Sequence, residues 1–137
     1  MSGRFEKSET PLAGLLLLKR RVLGDERGHL SRLFDAEDMA ELGWPGGIAQ
    51  VNETVTVKAG TVRGFHFQRP PFAEAKLVTC LRGSILDIAV DIRRGSPTFL
   101  CYFVAELSAA NACSLLIPKG FAHGFQTLED DVTLIYA

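Results

Sequence analysis

From residue 50 onward, polar and apolar side chains alternate with a period of two, the spacing of a strand whose two faces differ. In "VNETVTVK" (51–58), Val51, Val55 and Val57 share a face with Glu53, and Asn52, Thr54, Thr56 and Lys58 line the other. "AKLVTCL" (75–81) sets Leu77, Thr79 and Leu81 against Lys76, Val78 and Cys80. "SILDIAVDI" (84–92) sets Leu86, Ile88, Val90 and Ile92 against Asp87, Ala89 and Asp91. "TFLCYFVAEL" (98–107), "SLLIP" (114–118) and "VTLIYA" (132–137) are rich in β-branched and aromatic residues and predict three further strands. Gly60, Gly83, Gly95 with Pro97, and Pro118 with Gly120 mark the turns between them. A single helix is predicted in "AEDMAEL", with Asp35 as N-cap, Asp38 in the first turn and Gly43 as the stop. Strands at roughly ten-residue spacing with almost no helix predict an all-β antiparallel sandwich or small barrel rather than a βαβ sheet.

Composition narrows the class. With 137 residues, 47% hydrophobic and 23% charged, the chain suits one globular domain spanning 1–137. A net charge of -1 offers no electrostatic footprint for nucleic acid. The one basic run, Lys19, Arg20 and Arg21, lies close to Asp25 and Glu26 and reads as a solvated turn or strand end. The apolar run "LAGLLLL" (12–18) is short of the ~20 residues that cross a bilayer, and "KRR" follows it where a signal peptide needs small residues. No membrane partner and a cytoplasmic location are expected. Cys80, Cys101 and Cys113 are widely spaced, odd in number and read as reduced core thiols. Phe65, Phe67, Phe99, Phe103 and Phe125 are also expected in the core.

Chemistry concentrates around two of the three histidines. Gly60-x5-His66-x-Gln68, with Glu74 and Gly83 downstream, and Pro118-x-Gly120-x2-His123 resemble the two motifs of the cupin superfamily of jelly-roll barrels. Gln68 stands where that resemblance places a second metal-binding histidine, and an amide oxygen is a weak ligand for first-row metals. No metal is therefore expected.

Longer matches follow in order along the chain: "DERG" (25–28), "QVNET" (50–54), "VRGFHFQ" (62–68), "AKLVTCLRGSILDIAVDIRRGSPTF" (75–99) and "IPKGFAHGFQTLEDDVTLIYA" (117–137). Together they resemble the dTDP-4-dehydrorhamnose 3,5-epimerase family. The resemblance implies a cupin-like jelly roll, a homodimer, and epimerisation at C3, C5 or both of a nucleotide-linked 4-keto-6-deoxyhexose, as in dTDP-rhamnose-type deoxysugar biosynthesis. It implies no metal or redox cofactor. It also implies roles: His66 as general base, Lys76 stabilising an enolate oxygen, Tyr136 returning a proton from the opposite face, and His123 with Asp87 as a supporting pair. Arg27, Gln50, Asn52, Arg63 and Gln68 fall on substrate-binding positions, the arginines being suited to a diphosphate. These residue types fit the chemistry, because removing a proton beside a ketone needs a base and a fixed charge at the developing enolate oxygen.

Alternatives stay open at this stage. Lys76 on the solvent face of an edge strand, Tyr136 as a strand-end aromatic, Arg27 as a turn residue, or His123 and Asp87 as a purely structural pair would each suit the sequence. A dTDP-4-keto sugar ketoisomerase and a catalytically weak sugar-nucleotide-binding cupin share the same residue chemistry. Two departures from the family pattern stand out: His29 and Leu30 follow "DERG" where aromatic residues usually hold the base. The family also continues past the position of Tyr136 with a segment carrying an acidic partner for the base histidine, which these 137 residues lack.

Overall fold

A computed structural model of the chain describes residues 3–69 and 73–137. Twelve strands and one helix are found among them: β1 (Phe5–Glu9), β2 (Leu16–Arg20), β3 (Val22–Asp25), β4 (Gly28–Ser31), α1 (Ala36–Glu41), β5 (Asn52–Thr56), β6 (Val62–His66), β7 (Lys76–Arg82), β8 (Ser84–Asp91), β9 (Tyr102–Ser108), β10 (Cys113–Ile117), β11 (Phe121–Thr127) and β12 (Val132–Tyr136). Six strands pair in the order β1-β2-β10-β7-β12-β5, four in the order β6-β11-β8-β9, and β3 with β4 forms a separate hairpin. All pairings are antiparallel, the layered β architecture that the alternation predicts.

The two sheets enclose a core of Val78, Cys80, Ile85, Ala89, Leu107, Leu115, Ile117, Phe125 and Leu134. A second cluster, Phe5, Leu18, Met39, Trp44, Leu77 and Leu116, lies on the other side of the six-stranded sheet. Both faces of its central strands are therefore covered, which explains why "KLVTCL" and "SLLI" run apolar on successive positions. The helix in that second cluster starts as predicted: Asp35 is the N-cap, its carboxylate accepting from the amides of Glu37 and Asp38.

The four-stranded sheet is oriented the other way. On β8 the buried set is Ile85, Asp87, Ala89 and Asp91, while Leu86, Ile88 and Val90 point outward and are only half-buried. Edge strand β5 repeats the inversion, with Thr56 buried and Val51, Val55 and Val57 exposed. Hydropathy alone would turn these strands over; on β8 the inward acids meet partners from other segments, Asp87 at His123 and Asp91 at Arg93, Ser96 and Thr98.

Several expectations are corrected. Cys80 is buried, but Cys101 is exposed and Cys113 half-buried. Phe125 is in the core and Phe103 packs against it, whereas Phe65, Phe67 and Phe99 are about half exposed, because they lie on edge strand β6 or in the loops at its end. The basic run is the strand end it was read as, with Lys19 and Arg20 closing β2 and Lys19 and Arg21 exposed, but Arg20 is buried, its Nε donating to Ser31 Oγ. The predicted strand at 98–107 begins only at Tyr102; residues 96–101 form turns around Asp91.

Asp91 anchors those turns. Its carboxylate, fully buried, accepts from the amide and Nε of Arg93 at 2.9 and 3.0 Å, from Arg93 Nη2, and from the hydroxyls of Ser96 and Thr98, each at 2.6 Å. Burial pushes this carboxyl up, but the hydrogen bonds from Arg93, Ser96 and Thr98 outweigh it and hold the group well below the usual carboxylate range. With the folded-state value depressed, the stabilisation is complete above the unfolded value of 3.8 and is lost as pH falls through the folded one. Asp91→Asn is expected to cost about 3 kcal/mol at neutral pH by urea unfolding. The gap to the parent chain is expected to narrow as pH drops below 3.8; a gap that stays constant down the titration would contradict the charge-based account.

Candidate active site

The inward face of the four-stranded sheet carries a buried acid-imidazole pair. Asp87 on β8 is fully buried, and its Oδ1 lies 2.5 Å from Nε2 of His123 on β11, itself buried. The other oxygen, Oδ2, is buried with no hydrogen-bond partner. Burial drives the Asp87 carboxyl above its ordinary range, while the charge and hydrogen bond of His123 and the charge of Lys76 pull it back down. Lys76, at the start of β7 on the facing sheet, is thus electrostatically coupled to the pair across the interior.

His66 joins this group through strand register. It ends β6 directly opposite His123 on β11, and directly opposed residues of an antiparallel ladder project to the same face. His66 remains exposed, so it stands at the open end of the interior rather than within it. Arg63 pairs with Phe125, the next inward-facing residue of β11. In a regular strand, residues three apart point to opposite faces. Here three steps on β6 match two on β11, a bulge that returns Arg63 and His66 to one face. Gly64 makes the bulge possible: a Cβ on it, at φ +122, would lie 2.6 Å from Gly124 Cα and 2.9 Å from the His123 carbonyl oxygen. A Cβ on Gly124 would be less severely placed, 3.1 Å from the Arg63 carbonyl oxygen and 3.2 Å from the Phe65 ring.

The six-stranded sheet supplies the facing wall. Tyr136 on β12 pairs with Asn52 on one side and Val78 on the other, and packs partly buried against the core between the sheets. Asn52, Tyr136 and Val78 therefore share the inner face, and Lys76, two residues before Val78, continues it. The edge-strand alternative for Lys76 does not hold, since β7 lies between β10 and β12. Gln50 lies just before β5 and lines a small cavity of about 140 Å³ with Trp44, Glu74 and Ala137. Gln68 lines a second, larger cavity at the end of β6.

One predicted residue stands apart. Arg27 sits at the tip of the β3-β4 hairpin, exposed, and its Nη2 is 2.7 Å from Asp25 Oδ2. Within this chain it is a turn residue, and the group assembled around the interior is His66, Lys76, Asp87, His123, Tyr136, Asn52 and Arg63. Among the described residues, no three His, Cys, Asp or Glu side chains are grouped as a metal site would need. Sequence reasoning missed the bulge that brings Arg63 to the site; the signal was the "RGFH" glycine, placed where a strand would normally avoid one.

Comparison with known proteins gives this arrangement a context. A family model described as dTDP-4-dehydrorhamnose 3,5-epimerase matches residues 9–137. A relative of that name from Sinorhizobium fredii is 45% identical over 125 residues, covering 91% of this chain and 64% of its own length. One from Shigella flexneri is 40% identical over 129 residues, covering 93% and 71%. The chain thus spans about two thirds of the length of these relatives. Among solved structures, the Bacillus anthracis epimerase with TDP and PPi bound superposes with a TM-score of 0.91 at 39% identity, covering 96% of this chain and 75% of its own. A Legionella pneumophila epimerase in complex with dTDP-4-keto-L-rhamnose gives 0.91 at 37%, covering 96% and 70%.

The bulge can be tested apart from activity. Gly64→Ala should destabilise the chain by at least about 2 kcal/mol in urea unfolding, combining backbone strain with steric overlap. Gly95→Ala, at φ +82 with nothing within 4 Å, should cost only the strain, about 1 kcal/mol. Equal losses would remove the close β6-β11 approach from the account.

Proposed function

The chain belongs to the dTDP-4-dehydrorhamnose 3,5-epimerase family, and from that premise we propose that it epimerises a nucleotide-linked 4-keto-6-deoxyhexose, such as dTDP-4-keto-6-deoxyglucose, without a metal or redox cofactor. The observation that carries the reading is the division of labour between the sheets. His66 and the His123-Asp87 pair stand on one, Lys76 and Tyr136 on the other. Inverting a carbon centre needs a proton taken from one face and returned to the other, and a sugar held between the sheets meets a base and an acid on opposite sides.

In this proposal, His66 takes the proton from the carbon beside the ketone, and its electron pair moves to the carbonyl oxygen as an enolate. Lys76 stabilises that oxygen by charge. Tyr136 gives a proton to the opposite face of the same carbon as the enolate collapses to the ketone. Asp87 holds the His123 ring in place through Oδ1, a positioning role that favours one orientation of the imidazole at the bottom of the site. Asn52, Gln50, Gln68 and Arg63 serve substrate binding, with Arg63 suited to the diphosphate. The names of the relatives support epimerisation over the ketoisomerase and binding-only alternatives.

A homodimer belongs to the same proposal. The outer face of the four-stranded sheet presents Val62, Tyr102 and Val104, all exposed, beside half-buried Leu86, Ile88 and Val90. These apolar side chains, with Glu106 and Gln126 among them, are what a second copy would cover. No helix among the described residues is long and apolar enough to cross a membrane.

Two measurements test the proposal. In heavy water, the chain incubated with dTDP-4-keto-6-deoxyglucose is expected to exchange hydrogen at C3, C5 or both. His66→Ala should lower that exchange by at least about a hundredfold, and Tyr136→Phe should slow net inversion more than proton removal; absence of exchange in the parent chain with nucleotide still bound would sink the epimerase reading. For the assembly, light scattering at micromolar concentration should give twice the chain mass, and Val104→Lys should give one chain mass with its fold intact. A parent chain that runs as a monomer would remove the dimer.

A further inference from the structure

Two cysteines far apart in the chain meet across a pair of strands. Between β7 and β10, Val78 pairs with Leu115 and Thr79 with Ser114, so the next step of the ladder sets Cys80 directly opposite Cys113. Both project to one face: Cys80 lies with Val78 and Leu115 in the core between the sheets, and Cys113 packs against that core. Directly opposed residues of an antiparallel pair have Cα atoms about 4.5 or 5.5 Å apart, and both spacings fall in the range of roughly 4.4–6.8 Å that a disulfide spans. Cys101 is elsewhere, exposed in the turns before β9.

Neither sulfur is tied to a strong partner. Cys80 Sγ lies 3.3 Å from the Arg82 carbonyl oxygen and 3.4 Å from that of Gly83, and Cys113 Sγ lies 3.5 Å from that of Asn111. A thiol is a weak donor, so turning the two side chains toward each other gives up little. Positive charge flanks the pair. Lys19 on β2 stands directly opposite Cys113 on its other side, with Glu6 of β1 beyond it. Arg20 is buried with Nη1 unpartnered, and the groups that act on its charge are the thiols of Cys113 and Cys80. Burial pushes both thiols up, Cys80 to about 11, while Lys19 and Arg20 pull Cys113 down and Arg20 pulls Cys80 down against Glu129. Cys113 is half-buried and Cys80 fully buried, so a reagent from solvent reaches Cys113 first.

We propose that Cys113 and Cys80 form a redox-reactive dithiol, which a hydroperoxide closes into a disulfide between β10 and β7. The Cys113 thiolate, favoured by the neighbouring cations, attacks one peroxide oxygen. The O–O bond breaks, hydroxide leaves and takes up a proton to become water, and Cys113 is left as a sulfenic acid. The Cys80 sulfur then attacks the Cys113 sulfur, the S–O bond breaks, and the departing hydroxyl leaves as a second water with the Cys80 proton. Two thiols lose two electrons and two protons, and hydrogen peroxide is reduced to two waters. The new bond fastens β7, which carries Lys76, to its neighbour and constrains the unfolded chain.

The test uses the chain carrying Cys101→Ser, which leaves only these two thiols, treated with hydrogen peroxide and then alkylated in denaturant. No alkylation is expected, with a mass lower by two hydrogens, a single chain on a non-reducing gel, and both thiols recovered with dithiothreitol. The oxidised chain should unfold at higher urea than the reduced one. Adding Cys113→Ser should slow the loss of the Cys80 thiol by at least about tenfold, because the accessible sulfur is gone. Added oxygen with Cys80 still free, a disulfide between two chains, or no thiol loss under conditions that fully oxidise glutathione would each overturn the proposal. None of these results bears on the epimerase reading, which rests on hydrogen exchange in the keto sugar.

Discussion

Burying Asp87 is the constraint on which the rest of the structure depends. A carboxylate taken fully out of water costs several kcal/mol unless a partner meets it, and here His123 Nε2 does so at 2.5 Å. That contact joins β8 to β11, where Phe125 stands directly opposite Asp87 and His123 opposite Ala89. Register in a sheet is indivisible: slipping by one residue turns every side chain over. Once Asp87 faces inward, Ile85, Ala89 and Asp91 must follow, and Leu86, Ile88 and Val90 must face out.

The inversion reaches outward and inward together. Outside, it leaves an apolar sheet face that one copy of the chain does not cover. Inside, it lines one wall with a polar pair and, through the β11-β6 pairing, brings His66 to the mouth. The opposite wall is packed from both sides. Its central strands are covered on both faces by the two apolar clusters, so Lys76 and Tyr136 stand on a well-supported framework. Asp87 Oδ2, buried and unpartnered on one side, and the Lys76 charge acting on it from the other, make the interior an electrostatically unbalanced space.

Much of this was legible along the chain. Alternation and β-branched content located β5, β7, β8, β10 and β12 to within a few residues and β9 less closely, and Asp35 with Gly43 located the helix, because both signals are local; β6 and β11, which carry His66 and His123, fell outside the predicted strands. The quoted motifs pointed to the family. Less legible were β1 to β4: "LLLL" and "KRR" carry no alternation, and β2 becomes a strand because β1 and β10 flank it. The buried state of Arg20 and the exposure of Phe65 and Phe67 were misread for a related reason. Burial depends on what lies across from a side chain, and an edge strand has nothing on one flank.

By itself, the sequence determined that strands form, where turns interrupt them, and which residue types are available for proton transfer. Those are properties of short segments, decided by steric preference and side-chain chemistry. Tertiary structure decided which face of each strand is inside and which residues meet. His66 and Arg63, three apart, share a face only because Gly64, packed against Gly124, admits a bulge. Arg27, prominent in its motif, folds back on Asp25 at a hairpin tip. Facing and juxtaposition arise from pairing between segments far apart in the chain, and no local periodicity carries that information.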